Sequence, residues 1–122
     1  LLKYMYNGMK DDIDAVFGFA NGMKAVDDVE IKGLTAVFGD KLAEKPVVEL
    51  KEVLGESRAA AATTAAAHAA LMFAGKIPSQ EAYSIAADGS VSKTNVEASK
   101  LNNVLVAAYG AGGSYTAIVL SK

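Results

Sequence analysis

Residues 104–120 read Val104-Leu105-Val106-Ala107-Ala108-Tyr109, then Gly110-Ala111-Gly112-Gly113-Ser114, then Tyr115-Thr116-Ala117-Ile118-Val119-Leu120. The first and third parts are short, apolar and rich in β-branched or aromatic residues, which is typical of strands. The glycines between them permit a tight reversal of the chain. The stretch therefore predicts an antiparallel hairpin with a glycine-rich turn.

Two earlier segments are typical of buried strands. Ile13, Ala15, Val16 and Phe17 form a short apolar segment that is followed by Gly18. Residues 46–50 contain the β-branched Val47 and Val48 and begin with Pro46, at a position where a missing N–H group is tolerated. The sequence thus predicts two strands upstream of the hairpin.

A helical pattern follows each of these two strands. Asp27 or Asp28 is placed to cap a helix whose apolar residues recur at helical spacing until Gly39 ends it. Ser57 is placed to cap a long alanine-rich helix that Gly75 ends. Because alanine lets neighbouring backbones approach closely, we expect the second helix to lie in a central layer of the fold.

The remaining segments complete the order of elements. Residues 1–9 predict the tail of a helix, and residues 79–103 predict a loop-rich connection. The order helix, strand, helix, strand, helix, loop, strand, strand predicts an α/β domain with a mixed sheet. We expect residues 1–122 to form one domain that is part of a longer protein, since residue 1 is Leu.

The composition excludes several classes of function. The 122 residues contain no cysteine and one histidine, which excludes a Cys or Cys/His zinc site, a thiol nucleophile and a disulfide framework within this chain. We expect no metal and no cofactor. With 12 Lys+Arg, 14 Asp+Glu and a pI of about 5.3, the chain lacks a basic footprint for nucleic acid or an anionic membrane. Residues 59–74, the most apolar stretch, are too short to span a bilayer.

Three features are candidates for chemistry, and each also has a structural interpretation. His68 has no triad partner or second metal ligand near it in the sequence, which favours a packing or surface role. Residues 110–114 either direct backbone N–H groups at an anion or oxyanion, or form a tight hairpin turn. The carboxylates are either acid/base pairs or helix caps and solvated loop residues: Asp11, Asp12, Asp14, Asp27, Asp28 and Glu30. These residues alone define no reaction.

Four motifs follow one another along almost the whole chain. They are Asp12-Ile13-Asp14-Ala15-Val16 with Phe19-Ala20-Asn21-Gly22-Met23, then Asp27-Asp28-Val29-Glu30 with Val37-Phe38-Gly39, then Lys51-Glu52-Val53-Leu54-Gly55-Glu56 with Gly75-Lys76-Ile77-Pro78, and Ala107-Ala108-Tyr109-Gly110-Ala111-Gly112-Gly113-Ser114-Tyr115. In this order they resemble the C-terminal half of β-ketoacyl synthases, the condensing enzymes of fatty-acid and polyketide synthesis. The corresponding family patterns are d-I-D with H-G-T-G-T, D-x-x-E with F-G, K-x-x-x-G-H with g-x-I-P, and N-S-F-G-F-G-G-T-N.

The resemblance implies a fold and a set of site positions. The fold is a thiolase-like half with a five-stranded mixed sheet and helices on both faces, and residues 59–74 belong to its central layer. In the family, two histidines of this half promote decarboxylation of the malonyl group and stabilise the enolate and thioester oxygens. Phe19 and Glu56 match those two positions, and Lys51 matches the family's lysine. The implied substrate or oxyanion loop contains Gly110, Gly112, Gly113 and Ser114.

Neither substituted position suits the family's chemistry. Phe19 offers no hydrogen-bond donor, and an ionised Glu56 repels developing negative charge. We expect Lys51 and Glu56 to form an ion pair instead. The resemblance therefore implies a degenerate domain, inactive when isolated, that acts as a non-condensing partner or a chain-length subunit.

The resemblance also implies partners and a location. The partners are an N-terminal ketosynthase half or a separate ketosynthase, with acyl carrier protein or acyl-CoA. A domain without the N-terminal half exposes an apolar face, which predicts an oligomer. The location implied is the cytoplasm.

Two other interpretations remain open. In the first, the protein is an acyltransferase or thioester hydrolase of the same superfamily, with Glu56 as a base and the glycine-rich turn as the oxyanion site. In the second, the chain is an unrelated small-molecule or thioester-binding module whose glycine turn and alanine helix match by accident.

Overall fold

The computed structural model describes residues 12–18, 24–49, 61–110 and 114–122. The strands in these ranges are β1 (Ala15–Phe17), β2 (Val47–Val48), β3 (Ser79–Ile85), β4 (Val91–Glu97), β5 (Asn103–Gly110) and β6 (Ser114–Ser121). The helices are α1 (Lys24–Phe38) and α2 (Ala61–Phe73), with short 3-10 helices at Gly39–Glu44 and Ala98–Lys100.

The strands form one mixed sheet in the order β4-β3-β2-β1-β5-β6. β1 is parallel to β2 and to β5, whereas the β2–β3, β3–β4 and β5–β6 pairs are antiparallel. The structure confirms the predicted α/β class, the mixed sheet and the C-terminal hairpin. The expected number of five strands is wrong, because the sheet has six.

The additional strand comes from a β3–β4 hairpin, in a region where the sequence predicts a loop. Its register is continuous from Ser79 opposite Glu97 to Ile85 opposite Val91. Few of its side chains are buried and apolar, namely Ala82, Ile85 and Val96. An edge hairpin that faces water on most sides has little apolar periodicity, which is the physical reason for the wrong prediction.

The helices cover opposite faces of the sheet. On one face α1 and the 3-10 helix after it pack against β1, β2 and β5, through Ile13, Val16, Leu34, Val37, Phe38, Leu42, Val47 and Leu105. On the other face α2 packs through Ala65, Ala69 and Met72 against Ala15, Phe17, Val48, Ala82, Val104 and Val106. Within the described ranges, no helix combines the length and apolarity needed to cross a bilayer.

The helix ends confirm two predictions and correct one. The α-helical part of α1 stops before Gly39, which has a φ of +57°, and α2 stops shortly before Gly75, which has a φ of +73°. Both glycines adopt the left-handed conformation typical of a helix C-terminus. The predicted cap at Asp27 or Asp28 is wrong, because α1 begins at Lys24 and contains both residues. The predicted Ser57 cap and the helix at residues 1–9 lie outside the described residues.

Candidate functional site at the carboxyl edge of the parallel strands

β1 and β2 end side by side, next to β5, which continues four residues further. Phe17, the last residue of β1, pairs with Val48 of β2 and with Val106 of β5. Because these strands are parallel, the segments that follow them leave the sheet at the same edge. In open α/β sheets, ligands bind outside the carboxyl ends of the strands. This edge is therefore the candidate site.

Two of the predicted site residues follow these strand ends directly. Phe19 comes two residues after the end of β1, and Lys51 comes three residues after the end of β2. The described residues before these two segments are adjacent, because the N–H of Gly18 donates to the carbonyl of Val48 at 3.0 Å. Phe19, Lys51 and Glu56 themselves lie outside the described residues, and so does the predicted Lys51–Glu56 ion pair.

The glycine-rich loop is described at its two ends. Gly110 pairs with Ser114 as the last pair of the β5–β6 hairpin. Gly112 and Gly113 lie between them, outside the described residues. The hairpin interpretation of this stretch is confirmed, and the oxyanion role of Gly110, Gly112, Gly113 and Ser114 stays a prediction.

A buried carboxylate lies against the end of β1. Glu30 in α1 is 3% exposed. A Cβ atom built on Gly18 would collide with Oε1 of Glu30 and would approach Cγ1 of Val47 to 3.4 Å. The absence of a side chain at Gly18 therefore lets the Glu30 carboxylate reach the backbone where β1 ends. Glu30 is the last residue of the D-x-x-E motif and lies against Gly18, the residue that precedes Phe19 in the sequence.

The sequence contained a signal for the burial of Glu30, although not for its contact with Gly18. Glu30 precedes Leu34 by four residues and Phe38 by eight, and both of these side chains are buried. Residues at this spacing share one face of a helix. A carboxylate on the apolar face of a helix is an unusual residue and marks the position as a site or a structural contact.

His68 lies on the opposite face of the sheet from Glu30. The centroids of the His68 and Phe17 rings are 6.0 Å apart, with 54° between the ring planes. Nε2 of His68 is buried and has no hydrogen-bond partner in the described part of the chain. Burial lowers the pKa of His68 below its usual value of 6.5, while a side-chain hydrogen bond with Gln80 acts in the opposite direction. The ring contact with Phe17 agrees with the packing role that the sequence favours.

A cleft of about 320 Å³ lies at the other edge of the parallel strands. Its lining includes Ile13 and Asp14, which precede β1, and Pro46, which precedes β2. Asp14 is a structural residue there, because its Oδ2 accepts hydrogen bonds from the backbone N–H groups of Asn102 and Asn103 at 2.8 and 2.9 Å. The acid/base interpretation of Asp14 gains no support from these contacts.

The chain is an α/β domain whose candidate site lies at the edge of the sheet where parallel strands end. The model of the family described as beta-ketoacyl synthase, C-terminal domain, matches residues 4–84. The match covers more than half of the chain, and the chain belongs to this family. It includes the positions of Phe19, Lys51 and Glu56 and ends before β4, so the glycine-rich loop lies outside it. No curated protein and no solved structure gives a significant match.

Proposed function

We propose that the protein is a ketosynthase-like component of fatty-acid or polyketide biosynthesis that does not condense acyl groups itself. In this role it pairs with an active ketosynthase and shapes the acyl tunnel or the chain length. The single observation that carries the proposal is the pair Phe19 and Glu56 at the positions that match the family's two histidines.

The chemistry explains why these two substitutions matter. A thioester carbonyl that is attacked, or a malonyl group that loses carbon dioxide, develops negative charge on oxygen. Imidazole N–H donors stabilise that charge, and removing one such donor typically costs about 10²–10³ in rate. A phenyl ring has no donor, and an ionised carboxylate opposes the charge. A domain with Phe19 and Glu56 thus lacks both donors.

The described scaffold supports a protein-binding role. The outward side of α2 bears small side chains, with Thr63, Ala67 and Ala70 exposed, and Leu71 is 46% exposed. Small residues let another layer of helices approach closely. A ketosynthase half that packs on α2 would cover this side, as the family resemblance leads us to expect.

The test is an assay of malonyl decarboxylation and of condensation with the full-length protein. We expect no activity in the unchanged protein and decarboxylation in the double variant Phe19→His plus Glu56→His. The matched control is Phe19→His plus Glu52→His, which adds the same two imidazoles but leaves position 56 unchanged, and it should stay inactive.

A second assay addresses the partner role. Added to an active ketosynthase, the unchanged protein should alter the length distribution of the products. Condensation at ordinary enzymatic rates by the unchanged protein contradicts the proposal. So does thioester hydrolysis or acyl transfer that Glu56→Gln abolishes, because this result favours the enzyme with altered chemistry.

A further inference from the structure

β4 forms an edge of the sheet. Among the described strands it pairs with β3 alone. It is seven residues long, contains no proline and has no bulge in its register with β3. Natural edge strands are usually short, kinked, charged or covered, because open N–H and C=O groups attract another strand. β4 has such groups along its whole length, on the side that faces away from β3.

The hydrogen bonds of the hairpin fix which groups face outward. The N–H of Ala86 donates to the carbonyl of Ser90, and the N–H of Ala98 donates to the carbonyl of Pro78. In an antiparallel pair, hydrogen-bonded and non-hydrogen-bonded positions alternate. Counting from either bond, the residues of β4 that direct N–H and C=O away from β3 are Val91, Lys93, Asn95 and Glu97.

The side chains of this row carry a self-complementary charge pattern. Lys93 and Glu97 lie two residues on either side of Asn95, on the same face of the strand. If two copies of β4 run antiparallel about an axis at Asn95, each Lys93 lies opposite the other copy's Glu97. An axis at Lys93 would place two lysines opposite each other, and an axis at Thr94 would pair no charges. Opposite charges across a strand pair stabilise it, whereas like charges destabilise it.

We propose that β4 is a homodimer interface, at which it pairs antiparallel with β4 of a second copy across a two-fold axis at Asn95. The overlap of residues 93–97 provides three outward-facing pairs, or about six backbone hydrogen bonds. Lys93 is 74% exposed and lies 3.6 Å from Glu81, so in the dimer its ammonium group lies between Glu81 of its own molecule and Glu97 of the other. This surface is separate from α2 and does not depend on the proposed function.

The occupant is a second copy because the pattern is complementary to itself. The other sheet edge offers a comparison within the same molecule. β6 contains no charged residue between Ser114 and Ser121, so charge selects no register there. On β4, Lys93 and Glu97 stabilise the register whose axis lies at Asn95. They destabilise the register whose axis lies at Lys93, because that register places two lysines opposite each other.

Disulfide cross-linking tests the register. Within the 122 residues, which contain no cysteine, a single introduced thiol reports on its own position. In the full-length protein, Asn95→Cys should form a disulfide-linked dimer under mild oxidation, because hydrogen-bonded antiparallel partners have Cα atoms about 5.5 Å apart. Lys93→Cys is the matched control and should form no dimer, since its two copies lie about 13 Å apart along the strands. The unchanged protein gives the background.

Charge exchange tests the energetics. Lys93→Glu and Glu97→Lys should each weaken dimerisation, measured by sedimentation, by roughly tenfold or more. The double variant should recover most of the loss, because the exchanged side chains again place opposite charges across the two-fold axis. The proposal is overturned if Lys93→Cys cross-links and Asn95→Cys does not, or if the double variant is as weak as the singles. It is also overturned if the β4 amides are protected from hydrogen exchange where the protein is monomeric, since this shows that another segment or partner covers the edge.

Discussion

The imidazole of His68 links the alanine-rich helix to the central strand of the sheet. It contacts Phe17, two residues before Phe19, from the face opposite Glu30. Its Nε2 is buried without a partner in the described part of the chain, so a proton there would gain no hydrogen bond from those residues. Burial therefore favours the neutral ring and lowers the pKa of His68.

This shift predicts how the free energy of unfolding depends on pH. The folded state binds a proton at His68 less readily than the unfolded state. The contribution of His68 to the free energy of unfolding is therefore fully present above the usual histidine pKa of 6.5, and it decreases as the pH is lowered below that value. We expect His68→Gln to remove this part of the slope between about pH 7.5 and pH 5.5, where carboxylates contribute least. Urea denaturation of both proteins across this range measures the difference. An unchanged slope in His68→Gln would mean that the ring does not titrate differently on folding.

Gly18 and Glu30 illustrate a site feature that depends on two distant residues. The sequence places Glu30 in the D-x-x-E motif and Gly18 at the end of a predicted strand, but only the fold brings α1 over the end of β1. A side chain at position 18 and the buried carboxylate cannot share the same space. The identity of residue 18 therefore controls how closely the Glu30 side chain approaches the end of β1.

At the scale of elements, the β3–β4 hairpin depends on its turn. Asp88 accepts hydrogen bonds at Oδ1 from the N–H and the hydroxyl of Ser90, which lowers the pKa of Asp88. Gly89 has a φ of +86°, a conformation that side chains oppose. The turn therefore fixes the register that also sets which groups of β4 face outward.

Gly89→Ala tests the contribution of this turn. We expect a loss of about 1 kcal/mol in the free energy of unfolding, because alanine is strained at positive φ. Gly89→Asn should lose less, since asparagine tolerates the left-handed region. Denaturant unfolding of both variants measures the order. Equal losses would point to a cause other than backbone conformation.

The hairpin also shows what local sequence signals can predict. The strands β1, β5 and β6 and the C-terminal ends of both helices were predictable, because apolar runs and terminal glycines are local signals. The β3–β4 hairpin contained a signal of its own, Asp88-Gly89, which is among the commonest hairpin turns. The polar residues on either side of Asp88 and Gly89 favoured a loop more strongly than these two residues favoured a hairpin. The Glu30–Gly18 contact was not predictable from spacing, because it depends on the crossing of a helix over a strand.

At the scale of the whole molecule, Asp14 connects the beginning of the parallel sheet to the entry of β5. Its Oδ2 binds two backbone N–H groups, and Asn103 in turn bonds the carbonyl of Asp12 and the hydroxyl of Ser121. These contacts join β1, β5 and β6 at one edge.

Removal of the Asp14 carboxylate should destabilise the protein. We expect Asp14→Ala to lower the free energy of unfolding by about 2 kcal/mol, since hydrogen bonds to a charged group contribute about 1.5–3 kcal/mol each and one of the two is exposed. The matched control is Asp12→Ala, whose backbone carbonyl is retained, and it should change stability by less than about 0.5 kcal/mol. Equal effects of the two variants in urea denaturation would contradict the role given to Asp14.

The position of β1 at the centre of the sheet has a consequence for protein synthesis. One neighbour, β2, is encoded about 30 residues later, and the other, β5, about 90 residues later. A nascent chain that has just exposed α2 therefore holds β1 with one side unpaired. The sheet closes only when residues 103–110 leave the ribosome, and until then the apolar strand is available to chaperones.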